Sequence, residues 1–487
     1  MAEPCFINGI WREGYGAQRE SVNPADGSVN ALVSQANTAD VDEAVRVAAD
    51  ARHAEWRYRA PHERAFVLHR FANALSDATD RLADLQMREN GKTLSECKAQ
   101  VAASISIVRY YAGLTETLES AVHPSRGAFV SFDQYEPHGA VAVITPWNSP
   151  MTMTAQKIAP ALGAGNQVIL KPSELTPLVQ FEMVRLAHSA GVPAECLQVL
   201  AGDAEVGRAL VAHADINMIS FTGGTRTGVA IAQSAADRLI PIVLELGGKS
   251  ANLVFADADF EAAIAGVLFA IFSSGGQSCI AGSRLLVEDA IAEHFLDVLQ
   301  ERTQTLEIGP PDVATTKIGP MASFEHCAAV ESKVNAGLNN GGVLVCGGQR
   351  PQGVAYSNGA YYEPTIITDL NPGHASCQEE LFAPVLTVQT FSDQEQALAL
   401  ANGTEFGLAA GVWTSNMRRA LKIGERLEAG TIWINTYKQL SIAAPFGGYK
   451  SSGVGREKGP TGLRAYQQTK SYFLGLHDDP LPWAKPS

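Results

Sequence analysis

The chain of 487 residues lacks the features that assign a protein to a membrane, a nucleic acid or a disulfide framework. Its longest apolar runs, such as residues 264–272, are much shorter than the roughly 20 residues that span a bilayer. The net charge is −14 and no basic stripe is present, which argues against nucleic acid. The seven cysteines are scattered and form no Cys-x-x-Cys pair, so they indicate neither disulfides nor a metal site.

Repeats, low-complexity tracts and a basic-then-apolar leader are also missing. We therefore expect a cytoplasmic protein with no membrane, nucleic-acid or metal partner. The apolar fraction of 46% is ample for large cores, and a chain of this length predicts two or three domains.

Alternating strand-like and helical segments predict an α/β fold with two open sheets. The first alternating block begins near Gly139 and the second near Ser250. Strands that alternate with helices are typical of parallel sheets covered on both faces. The predicted boundaries place 1–118 and 139–247 in the first domain, 248–450 in the second, and 119–138 and 466–487 in a small β arm. The arm is expected to pair within itself or with another subunit.

One cysteine, Cys279, lies among small residues in the loop 275–284. Two glycines before it let the backbone approach a ligand, and its small neighbours leave the sulfur accessible. A thiol in such a loop is a nucleophile if a base deprotonates it. The alternative is a buried cysteine that only packs, and the loop alone does not separate the two.

Two strand ends carry polar side chains that suit catalysis. Asn148 follows a strand between two prolines, where a rigid amide can donate to a developing oxyanion, although a turn asparagine would look the same. Glu245 ends an apolar strand, where burial raises a carboxyl pKa and makes a general base. The alternative for Glu245 is a structural ion pair with Lys249.

Two further strand ends carry groups that suit a nucleotide. Lys171 and Glu174 lie between a strand and a helix, where a carboxylate suits a ribose diol and a lysine reaches ribose or phosphate. The alternative is helix capping by Ser173 and Thr176. Residues 220–228 predict a strand, a glycine turn and a helix start, whose backbone N–H groups can cradle a pyrophosphate. The Gly-x-Gly-x-x-Gly fingerprint is absent, so this turn alone is a weak signal.

A nucleophile, a base, an oxyanion donor and a nucleotide platform together predict oxidation of an aldehyde through a thioester. Cys279 would attack the carbonyl carbon, and the Asn148 amide with the Cys279 backbone N–H would hold the oxyanion. Hydride would leave for a nicotinamide, and Glu245 would activate the water that hydrolyses the thioester. The thiol is needed because a neutral aldehyde is a poor hydride donor.

The chain resembles the aldehyde dehydrogenase superfamily over nearly its whole length. The matching motifs are Pro-Trp-Asn at 146–148, Lys-Pro-Ser-Glu at 171–174, Phe-Thr-Gly at 221–223, Glu-Leu-Gly-Gly-Lys at 245–249, Gly-Gln-Ser-Cys at 276–279, Glu-Glu-Leu-Phe-Ala-Pro-Val at 379–385 and Pro-Phe-Gly-Gly-Tyr-Lys-Ser-Ser-Gly at 445–453. The resemblance implies that the two domains are Rossmann-like, the first binding NAD and the second catalytic. It also implies an oligomerisation arm that assembles homodimers or homotetramers.

The same resemblance implies residue roles: Cys279 as nucleophile, Glu245 as base and Asn148 in the oxyanion hole. Glu380 would hold the nicotinamide ribose and Phe382 would pack near the ring. The full set expected at the cofactor is Thr145, Pro146, Trp147, Lys171, Ser173, Glu174, Gly223, Gly224, Thr225, Gly228, Leu246, Gly247, Glu380 and Phe382.

Three positions bear on cofactor binding. The family commonly has Ser where this chain has Gly224, so one pyrophosphate hydrogen bond is lost or is supplied by Thr225. The family often has Gly at Ala383, a departure expected to be mild. A carboxylate at Glu174 repels a 2′-phosphate and favours NAD, although the neighbouring lysine and serine could tolerate NADP.

The resemblance also places a substrate tunnel along the helix after Pro150. Its expected lining is Ser149, Thr152, Met153, Gln156, Ser278, Ile280, Tyr437 and Phe446. Many relatives that take apolar aldehydes carry bulky groups there, and the loop 437–440 of this chain is also polar. We hypothesise a polar aldehyde or a semialdehyde as substrate. The alternative is that these polar groups face solvent or backbone.

Three rival functions remain. A CoA-acylating dehydrogenase would need no water-activating base such as Glu245. A cysteine hydrolase of esters or thioesters would need a histidine base, and no histidine lies in any of the chemical motifs. A non-catalytic protein on the same fold is disfavoured by the intact set of Cys279, Glu245 and Asn148.

Overall fold

The computed structural model describes residues 4–51, 55–477 and 483 of the chain. Its first part combines short strands with helices. They are β1 (Cys5–Ile7), β2 (Ile10–Arg12), β3 (Gln18–Val22), β4 (Val29–Ser34), α1 (Thr38–Ala51), α2 (Glu55–Tyr58), α3 (Pro61–Asp77), α4 (Thr79–Asn90) and α5 (Leu94–Thr117). Thr93 caps α5, because its hydroxyl accepts the Glu96 backbone N–H. The long helices α3 and α5 pack against each other.

The second part alternates strands and helices, as the sequence predicts. Its elements are β5 (Val122–His123), β6 (Phe129–Pro137), β7 (Ala140–Ile144), α6 (Pro150–Ala164), β8 (Gln167–Lys171), α7 (Leu178–Ser189), β9 (Leu197–Val199), α8 (Ala204–Ala212), β10 (Met218–Thr222), α9 (Thr225–Ala236) and β11 (Ile242–Glu245). Strands β7, β8 and β10 are buried along their whole length. This is typical of a parallel sheet with both faces covered.

The third part repeats the alternation. Its elements are β12 (Ala251–Val254), α10 (Phe260–Phe272), β13 (Arg284–Glu288), α11 (Ala292–Gln304), α12 (Phe324–Asn339), β14 (Val343–Cys346), β15 (Thr365–Thr368), α13 (Ala375–Gln378), β16 (Val385–Phe391), α14 (Gln394–Asn402), β17 (Phe406–Gly407), β18 (Ala409–Trp413), α15 (Met417–Arg426), β19 (Thr431–Ile434), β20 (Tyr449–Lys450), β21 (Gly453–Val454), α16 (Gly459–Arg464) and β22 (Gln467–Gly475). Strands β12, β13 and β18 form the buried centre of this part.

Two large open sheets organise the molecule, which confirms the predicted α/β class. The first runs β2-β1-β9-β8-β7-β10-β11-β21, and its strands from β9 to β11 are parallel. The chain leaves β7 for β8 and β9 on one side and then returns to β10 on the other side. That reversal creates a crevice at the carboxyl ends of β7 and β10, where open α/β sheets bind ligands. The second sheet runs β14-β15-β16-β13-β12-β18-β19 and is parallel except for β14.

A separate three-stranded sheet contains strands from both segments of the predicted arm. Strand β22 pairs antiparallel with β6 of the same chain, from Gln467 opposite Pro137 to Gly475 opposite Phe129, and β5 pairs on the other side. The predicted arm segment 466–487 continues beyond the described residues after His477, apart from Trp483. Within the described ranges, no helix has the length and hydropathy that a bilayer crossing needs.

Candidate active site

A cavity of about 650 Å³ lies where the strand ends of the two large sheets meet, and Cys279 is on its wall. The loop that presents this cysteine depends on Gly276, which has φ +68°. A Cβ at this glycine would come within 2.0 Å of the Ala383 carbonyl oxygen, so only glycine lets the two loops touch. The structure thus holds Cys279 against the segment that carries Glu380 and Phe382.

Asn148 lines the same cavity and is held in place by the cysteine loop. It is buried, and its Nδ2 donates to the Gln277 carbonyl oxygen at 3.0 Å. Because Nδ2 carries two hydrogens, this bond orients the amide while a second hydrogen can serve a ligand. The amide and the thiol, far apart in sequence, therefore share one wall.

The Cys279 thiol lies in an environment that disfavours its ionised form. Burial raises its pKa to about 12, and the negative charges of Glu380 and Glu245 act in the same direction. The backbone N–H groups of Ile280 and of Cys279 itself oppose this by favouring the thiolate. The thiol is therefore protonated at neutral pH and needs a base before it can attack.

Glu245 is the last residue of β11 and is buried at the cavity. Burial, and next the charge of Glu457, raise its pKa well above the usual carboxyl range, while Lys157 lowers it. Among the described residues, its oxygens accept no hydrogen bond and it forms no ion pair with Lys249, whose ammonium is also unbonded. The structural ion pair considered from the sequence is thus not formed.

Glu457 lies behind Glu245 and belongs to a buried polar cluster that sequence reasoning missed. It accepts hydrogen bonds from the Lys157 ammonium and the Gln156 amide, and all three side chains are buried. The Lys157 ammonium also donates to the Ser220 hydroxyl at 3.0 Å. The cluster connects α6 to the chain before α16 and keeps a second carboxylate near the candidate base.

Eight of the residues expected at the cofactor line the cavity. They are Pro146, Trp147, Gly223, Gly224, Leu246, Gly247, Glu380 and Phe382. The Trp147 and Phe382 rings meet edge to face with centroids 5.2 Å apart. Glu380 Oε1 accepts the Gly248 backbone N–H at 3.0 Å. Burial raises the Glu380 pKa to about 7, opposed by that N–H and by Lys249.

The glycine turn leaves room for an anionic group. Gly224 is the N-cap of α9 and provides no side-chain cap to the helix. Nothing lies within 4 Å of the position that a Cβ on Gly224 would take. Open space beside the unpaired N–H groups of a helix start fits a phosphate. With the Glu380 carboxylate on the same cavity wall, these residues could hold a nucleotide cofactor.

The other six expected cofactor residues do not line this cavity. They are Thr145, Lys171, Ser173, Glu174, Thr225 and Gly228. Thr145 donates to Gln180 at 2.6 Å, and the Lys171 ammonium lies 3.7 Å from Glu174 near the end of β8. The Thr225 hydroxyl accepts the Gly247 N–H and donates to the Ser451 carbonyl, so it does not replace the missing family serine freely.

Seven of the eight residues expected at the substrate line the cavity. They are Ser149, Thr152, Met153, Gln156, Ser278, Ile280 and Phe446. The exception is Tyr437, which the structure buries in the apolar core, with its ring 4.6 Å from that of Trp433. Gly282 and Gly411 leave space for this ring, and side chains there would collide with it. The tyrosine therefore turns inward although its neighbour Lys438 reaches the cavity.

Several charged and polar cavity residues were not predicted from the sequence. Glu96 and Gln100 come from the start of α5, Lys92 comes from the segment just before that helix, and Lys458 follows the buried Glu457. The signal that could have found the first group is the spacing of four residues, which puts Glu96 and Gln100 on one face of a helix. Gln100 also donates to Ser149 at 3.2 Å, so part of the polar wall faces protein groups rather than an empty tunnel.

Comparisons with known proteins agree with this geometry. A family model described as the aldehyde dehydrogenase family matches residues 11–472. Betaine aldehyde dehydrogenase of Bacillus subtilis (strain 168) is 40% identical, covering 99% of this chain and 99% of the relative. The crystal structure of PnpE from Pseudomonas sp. WBC-3 is 38% identical with a TM-score of 0.97, and each chain is covered fully. Betaine aldehyde dehydrogenase from Staphylococcus aureus, solved in complex with NAD⁺, is 34% identical with a TM-score of 0.97, covering 100% of this chain and 97% of that one.

Proposed function

We propose that this chain, which belongs to the aldehyde dehydrogenase family, oxidises an aldehyde to a carboxylate with NAD through a covalent thioester on Cys279. One observation carries the proposal. A single cavity brings the Cys279 thiol, the Asn148 amide and the Glu245 carboxyl beside a glycine turn that fits a nucleotide. Solved relatives that hold NAD support the choice of cofactor.

The first part of the reaction makes the thiohemiacetal. The Cys279 thiol gives its proton to a base and its sulfur bonds to the aldehyde carbon. Asn148 Nδ2 and the Cys279 backbone N–H donate to the oxyanion that forms, and such donors act strongly in a site screened from water. When bound, NAD supplies the acceptor for the hydride that leaves this intermediate.

The second part hydrolyses the thioester. Glu245 accepts a proton from water as the water oxygen attacks the carbonyl carbon, and the carbon–sulfur bond breaks to release the carboxylate and the thiol. A buried carboxyl whose pKa is raised well above its usual range is a stronger base than an exposed one. This requirement for Glu245 separates hydrolysis from CoA acylation.

The two sheets divide the work. We assign cofactor binding to 1–118 with 139–247, and catalysis to 248–450. Glu174, a carboxylate at the end of β8, supports NAD over NADP. The arm, 119–138 with 466–487, would assemble a homodimer or homotetramer, since Phe473 and Leu474 on β22 are exposed apolar side chains.

We propose a polar aldehyde or a semialdehyde as the substrate. The cavity wall beyond Cys279 carries Ser149, Thr152 and Gln156, and an alkyl chain would offer no hydrogen bond to the acceptors that their protein partners leave unsatisfied. The Gln156 Oε1 atom is buried without a hydrogen-bond partner among the described residues. A substrate with hydrogen-bonding groups would satisfy such atoms.

The test is NADH formation with an aldehyde panel in the wild type, Cys279→Ala and Glu245→Gln. The wild type is expected to turn over steadily, and Cys279→Ala is expected to bind NAD but form no NADH. Glu245→Gln should give a burst of about one NADH per site followed by turnover slowed about 100-fold, because acylation still occurs and hydrolysis does not.

Two outcomes would contradict this proposal. If Glu245→Gln hydrolyses as fast as the wild type, Glu245 is not the base. If turnover of the wild type needs CoA, the acylating alternative is correct. The exposed residue Glu293 on α11 offers a control, since Glu293→Gln should not change the burst or the steady rate.

A further inference from the structure

We infer that Lys92 and Lys438 form an anion-binding subsite in the cavity, which selects aldehydes that carry a carboxylate at the far end. This inference rests on the proposed function and specifies its substrate class. We call these two residues the lysine pair. They come from distant parts of the chain, the segment before α5 and the loop after β19, and both line the cavity that contains Cys279.

Each ammonium group of the lysine pair donates a hydrogen bond to a serine hydroxyl. Lys438 Nζ donates to Ser273 Oγ at 2.7 Å, and Lys92 Nζ donates to Ser149 Oγ at 3.5 Å. Within the described residues, neither ammonium has a carboxylate within ion-pair distance. Only 4% of the Lys92 surface is exposed. A positive charge so placed is costly unless an anion joins it.

The acidic residue on the same wall does not supply that anion. Glu96 Oε1 accepts the Ser274 backbone N–H at 2.6 Å, and its Oε2 accepts from the Thr93 hydroxyl at 3.2 Å. One oxygen is thus engaged with the segment just before the loop 275–284, and the other with the N-cap of α5. The other two carboxylates of the cavity, Glu245 and Glu380, form no ion pair with either lysine among the described residues. Glu457, which lies behind Glu245, is paired with Lys157. The lysine pair therefore remains available to a ligand.

The two lysines also influence each other. Burial, and next the positive charge of Lys92, lower the Lys438 pKa to about 7, while Glu96 and Cys279 act against this. Burial lowers the Lys92 pKa as well. A ligand carboxylate between the two ammonium groups would favour the charged form of both and would receive charge-assisted hydrogen bonds.

The same pair disfavours a cationic substrate. An aldehyde with a quaternary ammonium group would meet two like charges instead of an opposite charge or a set of aromatic faces. The Lys438 ammonium lies over the Phe269 ring, 5.7 Å from its centroid, so the lysine already covers that aromatic face. The relatives known as betaine aldehyde dehydrogenases act on such a cation, and this chain is expected to differ from them.

The experiment compares glutaric semialdehyde with its methyl ester, which has the same chain but no charge. The wild type should prefer the acid by at least about tenfold in kcat/KM, and betaine aldehyde should be the poorest substrate. In Lys438→Met, the ratio of the two kcat/KM values should fall by about 10- to 100-fold, the range for a lost hydrogen bond to a charged group. Lys438→Arg should keep most of the preference.

A matched control uses Lys98, which lies on α5 and pairs with Asp80 outside the cavity. Lys98→Met removes the same charge from the same region and should leave the ratio unchanged. If the wild type oxidises acid and ester equally, or if Lys98→Met shifts the ratio as much as Lys438→Met, the inference is overturned.

A binding measurement separates this inference from the proposed function. Glutarate should slow the alkylation of Cys279 by iodoacetamide in the wild type, and at least about tenfold more glutarate should be needed in Lys438→Met. If no aldehyde is oxidised yet this protection is seen, the subsite stands and the proposed function fails. If glutarate and its neutral diamide protect equally, the subsite does not exist even when aldehydes are oxidised.

Discussion

The two sides of the cavity are built from different parts of the polypeptide. The cofactor side consists of glycines and backbone at the ends of β10 and β11, with Glu380 and Phe382 opposite. The substrate side consists of side chains from α5, α6 and the loop after β19, several of them charged. One cavity therefore combines a backbone cradle, which short motifs encode, with a wall of side chains that only the fold brings together.

The energetic demands on the two sides also differ. On the cofactor side, glycines carry no side chain and so leave room for a ligand. At Gly224 nothing lies within 4 Å of the position that a Cβ would take. On the substrate side, charged groups such as Lys92 and Glu96 are buried or half-buried and must be satisfied by hydroxyl and N–H partners. On the cofactor side, the effect of a substitution therefore depends mainly on the shape of the new side chain. On the substrate side, it depends mainly on the charge that is gained or lost.

The largest expected effect comes from the residue between the two sides. Asn148→Ala should lower kcat by about 100- to 1,000-fold, because it removes a donor to the oxyanion. The dissociation constant for NAD, measured by fluorescence, should stay within about threefold of the wild type. Equal losses in kcat and in NAD affinity would show that Asn148 supports the cavity as a whole. The cofactor side and the substrate side would then not be separable at this residue.

A smaller effect is expected when a charged residue on the cofactor side, Glu380, is replaced, because it changes the pKa of Cys279. The Glu380 carboxylate raises the Cys279 pKa, so Glu380→Gln should lower that pKa and increase the thiolate fraction at a fixed pH below it. Alkylation of Cys279 by iodoacetamide near pH 8 should become about tenfold faster. The neighbouring exposed residue provides the control, since Glu379→Gln removes a charge that pairs with Lys333 and should not change the rate.

The smallest expected effect is on NAD affinity, when two glycines on the cofactor side are replaced by serine. Gly224→Ser adds a hydroxyl in open space at φ −68° and should tighten NAD about fivefold, as one added hydrogen bond of about 1 kcal/mol would. Gly228→Ser should weaken it, because the new Cβ would lie 2.4 Å from Leu246, a residue on the cavity wall. Titration calorimetry of NAD would check both variants. Tighter binding in both would show that the space around each glycine does not decide NAD affinity.

Much of the cofactor side was predictable because its parts follow strands directly. Parallel strands end at one edge of a sheet, so motifs after β7, β10 and β11 must meet there. Thr145 and Gly228 do not line the cavity, because Thr145 donates to Gln180 and Gly228 packs against Leu246, and their expected role at the cofactor stays a prediction. Position next to a strand end does not by itself decide which way a side chain points.

The substrate side was harder to predict for a physical reason. Tyr437 and Lys438 are neighbours, yet the first turns into the core beside Trp433 and the second into the cavity. The direction is set by space at Gly282 and Gly411, which are distant in sequence. The same holds for Lys92, which becomes part of the wall only because α5 packs along α6.

The two α/β blocks, the motifs at their strand ends and the family to which the chain belongs can all be read from the amino-acid sequence. Secondary structure follows from local hydrophobic periodicity, and each motif consists of contiguous residues, so both can be recognised within a short stretch of the chain. Three-dimensional packing was needed to bring a lysine pair and a thiol of raised pKa to one cavity and to set a buried Lys157–Glu457 cluster behind Glu245. Burial and charge neighbours are properties of three-dimensional packing, and they change the pKa of a group without leaving any local pattern in the chain.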